Sequence, residues 1–273
     1  MNTKYLFLDI DGTLVGFNGV MPPSALEALK KAHKNGHKLV ICTGRQLSQV
    51  YPWLLKEVPF DGLILSGGAM VISDGKTVAH HFIERDGLKR LVNYFESHKT
   101  AYYLQTQGFL VSKQWCVDRT LALFEKLGYS ENDLLTLFGK TVIDDNAENR
   151  DDVEKLIYYD SGVDFSDVQN NIGDEFHIVG YSFGNLGNTS GEISKNGVNK
   201  ASGIDEYLNY CGGDINDAFA FGDAENDLEM FGSVNTGIAM GNACDKLKKL
   251  ASYVTSDIDD DGLYNAFSHF GLI

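Results

Sequence analysis

Tyr5-Leu6-Phe7-Leu8-Asp9-Ile10-Asp11-Gly12-Thr13-Leu14 is the stretch that decides the fold. The apolar residues read as a buried strand, and two carboxylates stand two residues apart where that strand runs out. A strand projects alternate side chains to the same side, so Asp9 and Asp11 both point past its carboxyl end. Gly12 and Thr13 let the chain turn sharply with its backbone close to whatever binds there. Two acids at the tip of a parallel strand lie where open α/β sheets place their active sites.

Strand and helix alternate outward from this point. Pro22-Pro23 opens a helix over about 24–35 with Leu26, Leu29 and Ala32 on one face and Gly36 as its stop. A strand over 38–42 runs into Thr43-Gly44-Arg45, and a second helix contains Pro52. The strand over 62–65 ends in Ser66-Gly67-Gly68, and Asp74-Gly75 between two apolar runs reads as a hairpin turn. This order predicts a parallel, doubly wound, Rossmann-like α/β sheet.

From about Phe82 to Asn185 the texture changes. Strand-like runs over 101–105, 109–112, 156–160 and 175–183 are rich in Tyr and Phe and lack the Gly-flanked ends of the first third. A Gly/Asn/Ser-rich linker, Gly184 to Gly191, closes the stretch, and the α/β pattern resumes. The expected organisation is a split core, residues 1–82 and 186–273, with a smaller α/β domain, residues 83–185, inserted in it.

Composition narrows the partners. The 273-residue chain is 43% hydrophobic and carries a net charge of −15, which argues against nucleic acid or an anionic membrane as partner. No apolar run reaches the length of a membrane span, and no secretory signal precedes the first strand, so a cytoplasmic location is expected. Cys42, Cys116, Cys211 and Cys244 are scattered, with neither a disulfide framework nor zinc-site spacing. Oligomeric state is not legible.

Four groups of polar residues distant in sequence follow predicted strands or open helices: Asp9/Asp11, Thr43-Gly44-Arg45, Lys200, and Gly222-Asp223-Ala224-Glu225-Asn226-Asp227. A doubly wound sheet brings such loops to one edge. Two carboxylates about 4 Å apart repel by around 4 kcal/mol at an effective dielectric of about 20. A divalent cation removes that penalty, and hard oxygen ligands suit Mg²⁺, which readily takes substrate phosphate. The Thr43 hydroxyl, backbone amides and Lys200 suit the remaining phosphate oxygens.

These four segments resemble the four motifs of the haloacid dehalogenase superfamily of phosphatases. Gly222-Asp223-x-x-Asn226-Asp227-x-x-Met230, Ala239-Met240-Gly241-Asn242-Ala243 and Asp261-Gly262 are similar to its Cof-like branch, which carries a mixed α/β cap where the insertion falls. The resemblance implies a Mg²⁺-dependent phosphatase of small phosphorylated metabolites. It makes Asp9 the nucleophile that forms an aspartyl-phosphate and Asp11 the general acid and then base. Asp9, the Asp11 carbonyl and Asp223 would ligate the metal, with Asp227 as a further acid. Thr43, Gly44, Lys200 and Asn226 would hold or orient the phosphate. The family's usual Asn-Gly-Ala is Gly67-Gly68-Ala69 here, so a side-chain amide is missing. The alternatives are a phosphomutase on the same scaffold and a non-catalytic phosphate- or nucleotide-binding module.

Other motifs read as decoys. Gly180-Tyr181-Ser182-Phe183-Gly184 fits a nucleophile elbow, with His269 in triad order, but a poor helix sequence follows Ser182. Asp257-x-Asp259-x-Asp261-Gly262 imitates a calcium loop but has Ser268 at position twelve. Gly139-Lys140-Thr141 lacks the upstream glycine of a phosphate-binding loop, and His80-His81 reads as an ordinary surface or strand pair. Arg45 suits either a substrate contact or a local salt bridge.

Overall fold

The structure, a computed structural model, describes residues 2–160, 162, 164–180 and 189–273. Its elements are β1 (Tyr5–Leu8), α1 (Pro23–Lys34), β2 (Lys38–Cys42), α2 (Pro52–Glu57), β3 (Gly62–Leu65), β4 (Met70–Ser73) and β5 (Lys76–His80). There follow α3 (Arg85–Ser97), β6 (Ala101–Gln105), β7 (Leu110–Ser112), α4 (Gln114–Lys126), α5 (Glu131–Phe138), β8 (Thr141–Ile143), β9 (Lys155–Tyr159), α6 (Phe165–Ile172), β10 (Phe176–Gly180) and β11 (Gly191–Lys195). The chain ends with α7 (Lys200–Cys211), β12 (Ala218–Gly222), α8 (Leu228–Gly232), β13 (Thr236–Ala239), α9 (Asp245–Leu250), β14 (Tyr253–Val254) and α10 (Gly262–His269).

Contacts divide the chain into two compact units: Met1–Gly44, Val50–His80 and Asn199–Ile273 form one, Arg45–Gln49 and His81–Val198 the other. The first holds an eight-stranded sheet in the order β14-β13-β12-β1-β2-β3-β4-β5. The strands from β14 to β3 are parallel, and β4 and β5 add an antiparallel hairpin. The hairpin turns on Asp74 and Gly75, both at positive φ, as a two-residue connection of this hand requires. Strand order reverses between β1 and β12, and this is the switch point at which open α/β sheets place their ligands.

Apolar residues of the central strands (Phe7, Val40, Ile64, Ala220) pack with Ile204, Tyr207 and Leu208 of α7. Proline at the first position of α1 and three basic residues in its last turn mark that helix at both ends.

In the second unit a six-stranded sheet runs β10-β11-β9-β6-β7-β8, antiparallel except for β7 with β8. Its tyrosines alternate faces. Tyr102 and Tyr158 pack with Leu88, Leu91 and Phe95 of α3, while Tyr103 and Tyr159 pack with Phe124 of α4 and Phe138 of α5. Each unit therefore has its own apolar core.

The second junction differs from the expectation of a core segment starting at residue 186. Gly191–Lys195, expected in that segment, is β11, which pairs with β9 on one side and β10 on the other. The second unit thus extends to Val198. The expected linker and Ser182 fall largely outside the described residues, which stop at Gly180 and resume at Thr189.

No helix among the described residues is long and apolar enough to cross a membrane. His269 closes α10 stacked on Tyr253, and Asp257 accepts from the Asp259 amide in a local turn.

Candidate active site

β1 and β12 lie in register, Leu8 beside Phe221, and the Asp9 amide extends the ladder by donating to the Phe221 carbonyl. This puts the acids that follow the two strands next to one another. Asp9, Asp223 and Asp227 are all buried, and each offers a carboxylate oxygen within 4.8 Å of the others. Among the described residues they form the single such cluster.

Lys200 meets them from the first turn of α7. Asn199 caps that helix through a reciprocal pair of bonds with Ser202, which fixes where the helix begins. The Lys200 ammonium, itself buried, lies 2.7 Å from Asp9 Oδ1 and 2.6 Å from Asp227 Oδ1. The other oxygen of Asp227 accepts the backbone N–H groups of Asp223 and Ala224. Asp227 thereby braces both the lysine and the loop that carries Asp223.

The charge balance is uneven, with three buried acids against one buried base. Burial pushes the Asp9 carboxyl up to about 7; Lys200 pulls it back, but Asp227 and Asp11 push it up further. Burial likewise raises Asp223 to about 8, with Asp9 and Asp227 adding to the rise. Burial works against the Lys200 ammonium, yet the facing carboxylates of Asp227 and Asp9 hold it well above its ordinary value. Burial keeps the neighbouring Cys42 thiol protonated. A compact set of hard oxygen donors, two held above the carboxylate range by burial among like charges, fits a hard divalent cation.

Glycines allow the close approaches. A Cβ on Gly12 would lie 2.2 Å from Asp223 Oδ2, and one on Gly222 would lie 2.5 Å from Asp227 Oδ2. The Thr13 hydroxyl donates to Asp223 Oδ1 at 3.3 Å. Thr43 is buried at the end of β2, with its amide on Ile64 O and its carbonyl accepting from Gly67. The side-chain Oδ1 of Asn226, next to Asp227 in the chain, is buried without a hydrogen-bond partner among the described residues. Arg45 donates to the Gln49 carbonyl within its own turn, which makes it a local brace there. Asp11 and Gly44 follow β1 and β2 at the same edge of the sheet.

Two features escaped the reading of the sequence. Thr13 was taken only as part of a turn, because its bond to Asp223 spans 210 residues. Gly68 was noted only as part of a motif, yet a Cβ there would lie 2.0 Å from Asn199 O. The start of α7, and so Lys200, sits directly on the Gly68 backbone.

Gly68→Ala, at φ +103, is therefore expected to cost more than about 2 kcal/mol and to displace Lys200. Gly67 has nothing near its missing Cβ and adopts the left-handed conformation that Asn tolerates. Gly67→Asn should cost less than about 1 kcal/mol. Thermal melts of the two variants check this contrast.

Comparison with known proteins agrees with this geometry. The model of the haloacid dehalogenase-like hydrolases matches residues 6–267. The Bacillus subtilis protein YkrA is 28% identical, with all of both chains covered. The pyridoxal phosphate phosphatase YbhA of Escherichia coli is 25% identical over 96% of this chain and 97% of its own. Among solved structures, the HAD subclass IIB sugar phosphatase BT4131 superposes with a TM-score of 0.82 at 27% identity, covering 99% of this chain and 100% of that one.

Proposed function

The chain belongs to the haloacid dehalogenase-like hydrolase family, and on that footing we propose that it hydrolyses small phosphate monoesters through an aspartyl-phosphate on Asp9. The observation that carries the reading is the buried Asp9–Asp223–Asp227 cluster joined to Lys200 at the switch point of the sheet. Sugar phosphates and pyridoxal phosphate, the substrates named for its relatives, set the size of substrate to try first.

Mg²⁺ is the cation this donor set suits; Asp9, Asp223 and the Asp11 carbonyl would hold it, with the charge of Asp227 close by. When bound it would neutralise the carboxylates and the phosphoryl oxygens. The protein's residues do the rest. An Asp9 carboxylate oxygen attacks phosphorus while the bond to the leaving oxygen breaks, and Asp11 delivers a proton to that oxygen. Asp11, now a carboxylate, takes a proton from the water that attacks the same phosphorus, and the bond to Asp9 breaks to release phosphate. Lys200, the Thr43 hydroxyl, the backbone at Gly44 and the Asn226 amide hold the phosphoryl oxygens, so the work is mainly positioning and charge stabilisation. Phosphate release from p-nitrophenyl phosphate should require Mg²⁺ and stop on chelation; unchanged release in excess EDTA would refute the reading.

None of these residues reads the part of the substrate beyond phosphate, so we assign discrimination among substrates to the second unit, in the role of a cap. Because β11 belongs to that unit's sheet, a clean excision removes residues 81–198 and joins His80 to Asn199 through a short Gly/Ser splice. The core retains its own apolar cluster and should still release phosphate from p-nitrophenyl phosphate with Mg²⁺. Its ranking of a panel of phosphometabolites should flatten; a folded core with the intact protein's ranking would place specificity in the core loops.

A further inference from the structure

Asn242, in the loop after β13, ties together three segments. Its Nδ2 donates to the Gly12 carbonyl at 2.8 Å, and its Oδ1 accepts the Ile258 N–H at 3.1 Å. The amide is thus oriented at both ends, which a carboxylate could not reproduce: an oxygen would face the Gly12 carbonyl. Gly241 lets this side chain stand where it does. Its amide donates to Ser256 O, and a Cβ there would come 2.3 Å from the Asp257 nitrogen.

Gly12 is the hinge of the turn that presents Asp11. It has φ +80, and its amide donates to Val15 O, while the Leu14 and Val15 amides converge on the Ile10 carbonyl. Among the described residues the Asn242 amide is the hydrogen-bond donor to the Gly12 carbonyl. The same loop grips the other acid strand, since the Cys244 amide donates to the Asp223 carbonyl at 2.8 Å. Residues 242–244 therefore set the spacing between the Asp11-Gly12-Thr13 turn and Asp223, two pieces of chain 210 residues apart that meet through the Thr13 hydroxyl.

We infer that Asn242 is a positioning residue which, through the Gly12 carbonyl, holds the turn carrying Asp11 so that its carboxyl meets the leaving oxygen of the substrate. The inference rests on the phosphatase reading and on Asp11 as its general acid. Asn242→Asp keeps the acceptor for Ile258 and replaces the donor to Gly12, so it isolates the contact in question; Asn242→Ala removes both.

The test measures kcat and KM of wild type, Asp11→Asn, Asn242→Asp, Asn242→Ala and the Asp11→Asn/Asn242→Asp double variant. The substrates are p-nitrophenyl phosphate, with a good leaving group, and an alkyl phosphate, with a poor one. General acid catalysis contributes roughly 10²–10⁴-fold, and a misplaced group forfeits much of it. Asn242→Asp is expected to lower kcat/KM, which reports phosphoryl transfer to Asp9, by about 10²-fold on the alkyl ester, against less than about fivefold on the aryl ester. The double variant should be little worse than Asp11→Asn alone, because both substitutions act through Asp11.

Equal losses of kcat/KM on both esters, or losses that multiply in the double variant, would overturn the inference while leaving the phosphatase reading intact. So would an Asn242→Asp and an Asn242→Ala protein that both fail to fold, since the side chain would then serve stability. If kcat/KM of Asp11→Asn itself shows no dependence on leaving group, the acid role of Asp11 falls, and with it the role of Asn242.

Discussion

Asp9→Asn is expected to abolish phosphate release and yet leave the protein as stable as before, or more so. Asparagine keeps the shape and one oxygen for the Lys200 ammonium but cannot attack phosphorus. Loss of a nucleophile from an enzyme whose groups act as a unit costs roughly 10⁴-fold or more. Stability should move the other way. The folded-state value of about 7 for Asp9 lies above the ordinary 3.8, so the folded protein holds this proton more tightly than the unfolded chain does. Its contribution to stability is full at low pH and is lost as pH rises through about 7. A neutral side chain escapes that loss. Metal-free Asp9→Asn should therefore melt above the wild type by a margin that widens from about pH 5 to about pH 8. Thermal melts with chelator at both values, beside activity assays, check the pair of effects. A residue that served only packing would lose stability and activity together.

Lys200→Met carries the second large effect, and here both quantities should fall. Removing the ammonium leaves Asp9 and Asp227 buried without their cation, and breaking such a pair from one side costs about 3–5 kcal/mol. For a chain of this size the melting temperature should drop by roughly 6–20 °C. Methionine fills much of the same volume, so the loss reports charge. The double variant Asp9→Asn/Lys200→Met should regain part of the lost stability, because one of the two stranded anions is gone. Strict additivity in that cycle would mean that Lys200 acts through packing at the start of α7. Turnover should stay low in every member of the cycle.

How far the sequence carried depended on the range of the interaction. The acids after β1 follow from period-2 alternation, and the hairpin at Asp74-Gly75 from its turn residues, both local signals. The convergence of Asp9, Lys200 and Asp223 follows once the sheet is parallel and doubly wound, because topology then sends those loops to one edge. Pairings that topology does not dictate stayed hidden. β11 is five residues long and follows a Gly/Asn/Ser-rich stretch, so its place between β9 and β10 depends on partners that a local reading does not supply. The bond from Asn242 to Gly12 spans 230 residues, and the seat of Asn199 on Gly68 is a matter of backbone packing. Neither leaves a periodic trace. Arg45 was ambiguous for the opposite reason: its contact with the Gln49 carbonyl lies within its own turn, where either a local or a substrate contact was open to a long basic side chain.

The central claim is that Asp9 carries the phosphoryl group, and trapping that group tests it most directly. In Asp11→Asn the first step can proceed with p-nitrophenyl phosphate, whose leaving group needs no acid, while the second lacks its base. This variant, mixed with Mg²⁺ and p-nitrophenyl phosphate, quenched in acid and digested, should yield a peptide phosphorylated on Asp9, which borohydride converts to homoserine. Release of p-nitrophenol with Asp9 unmodified, or with the phosphoryl group on another residue, would contradict the account.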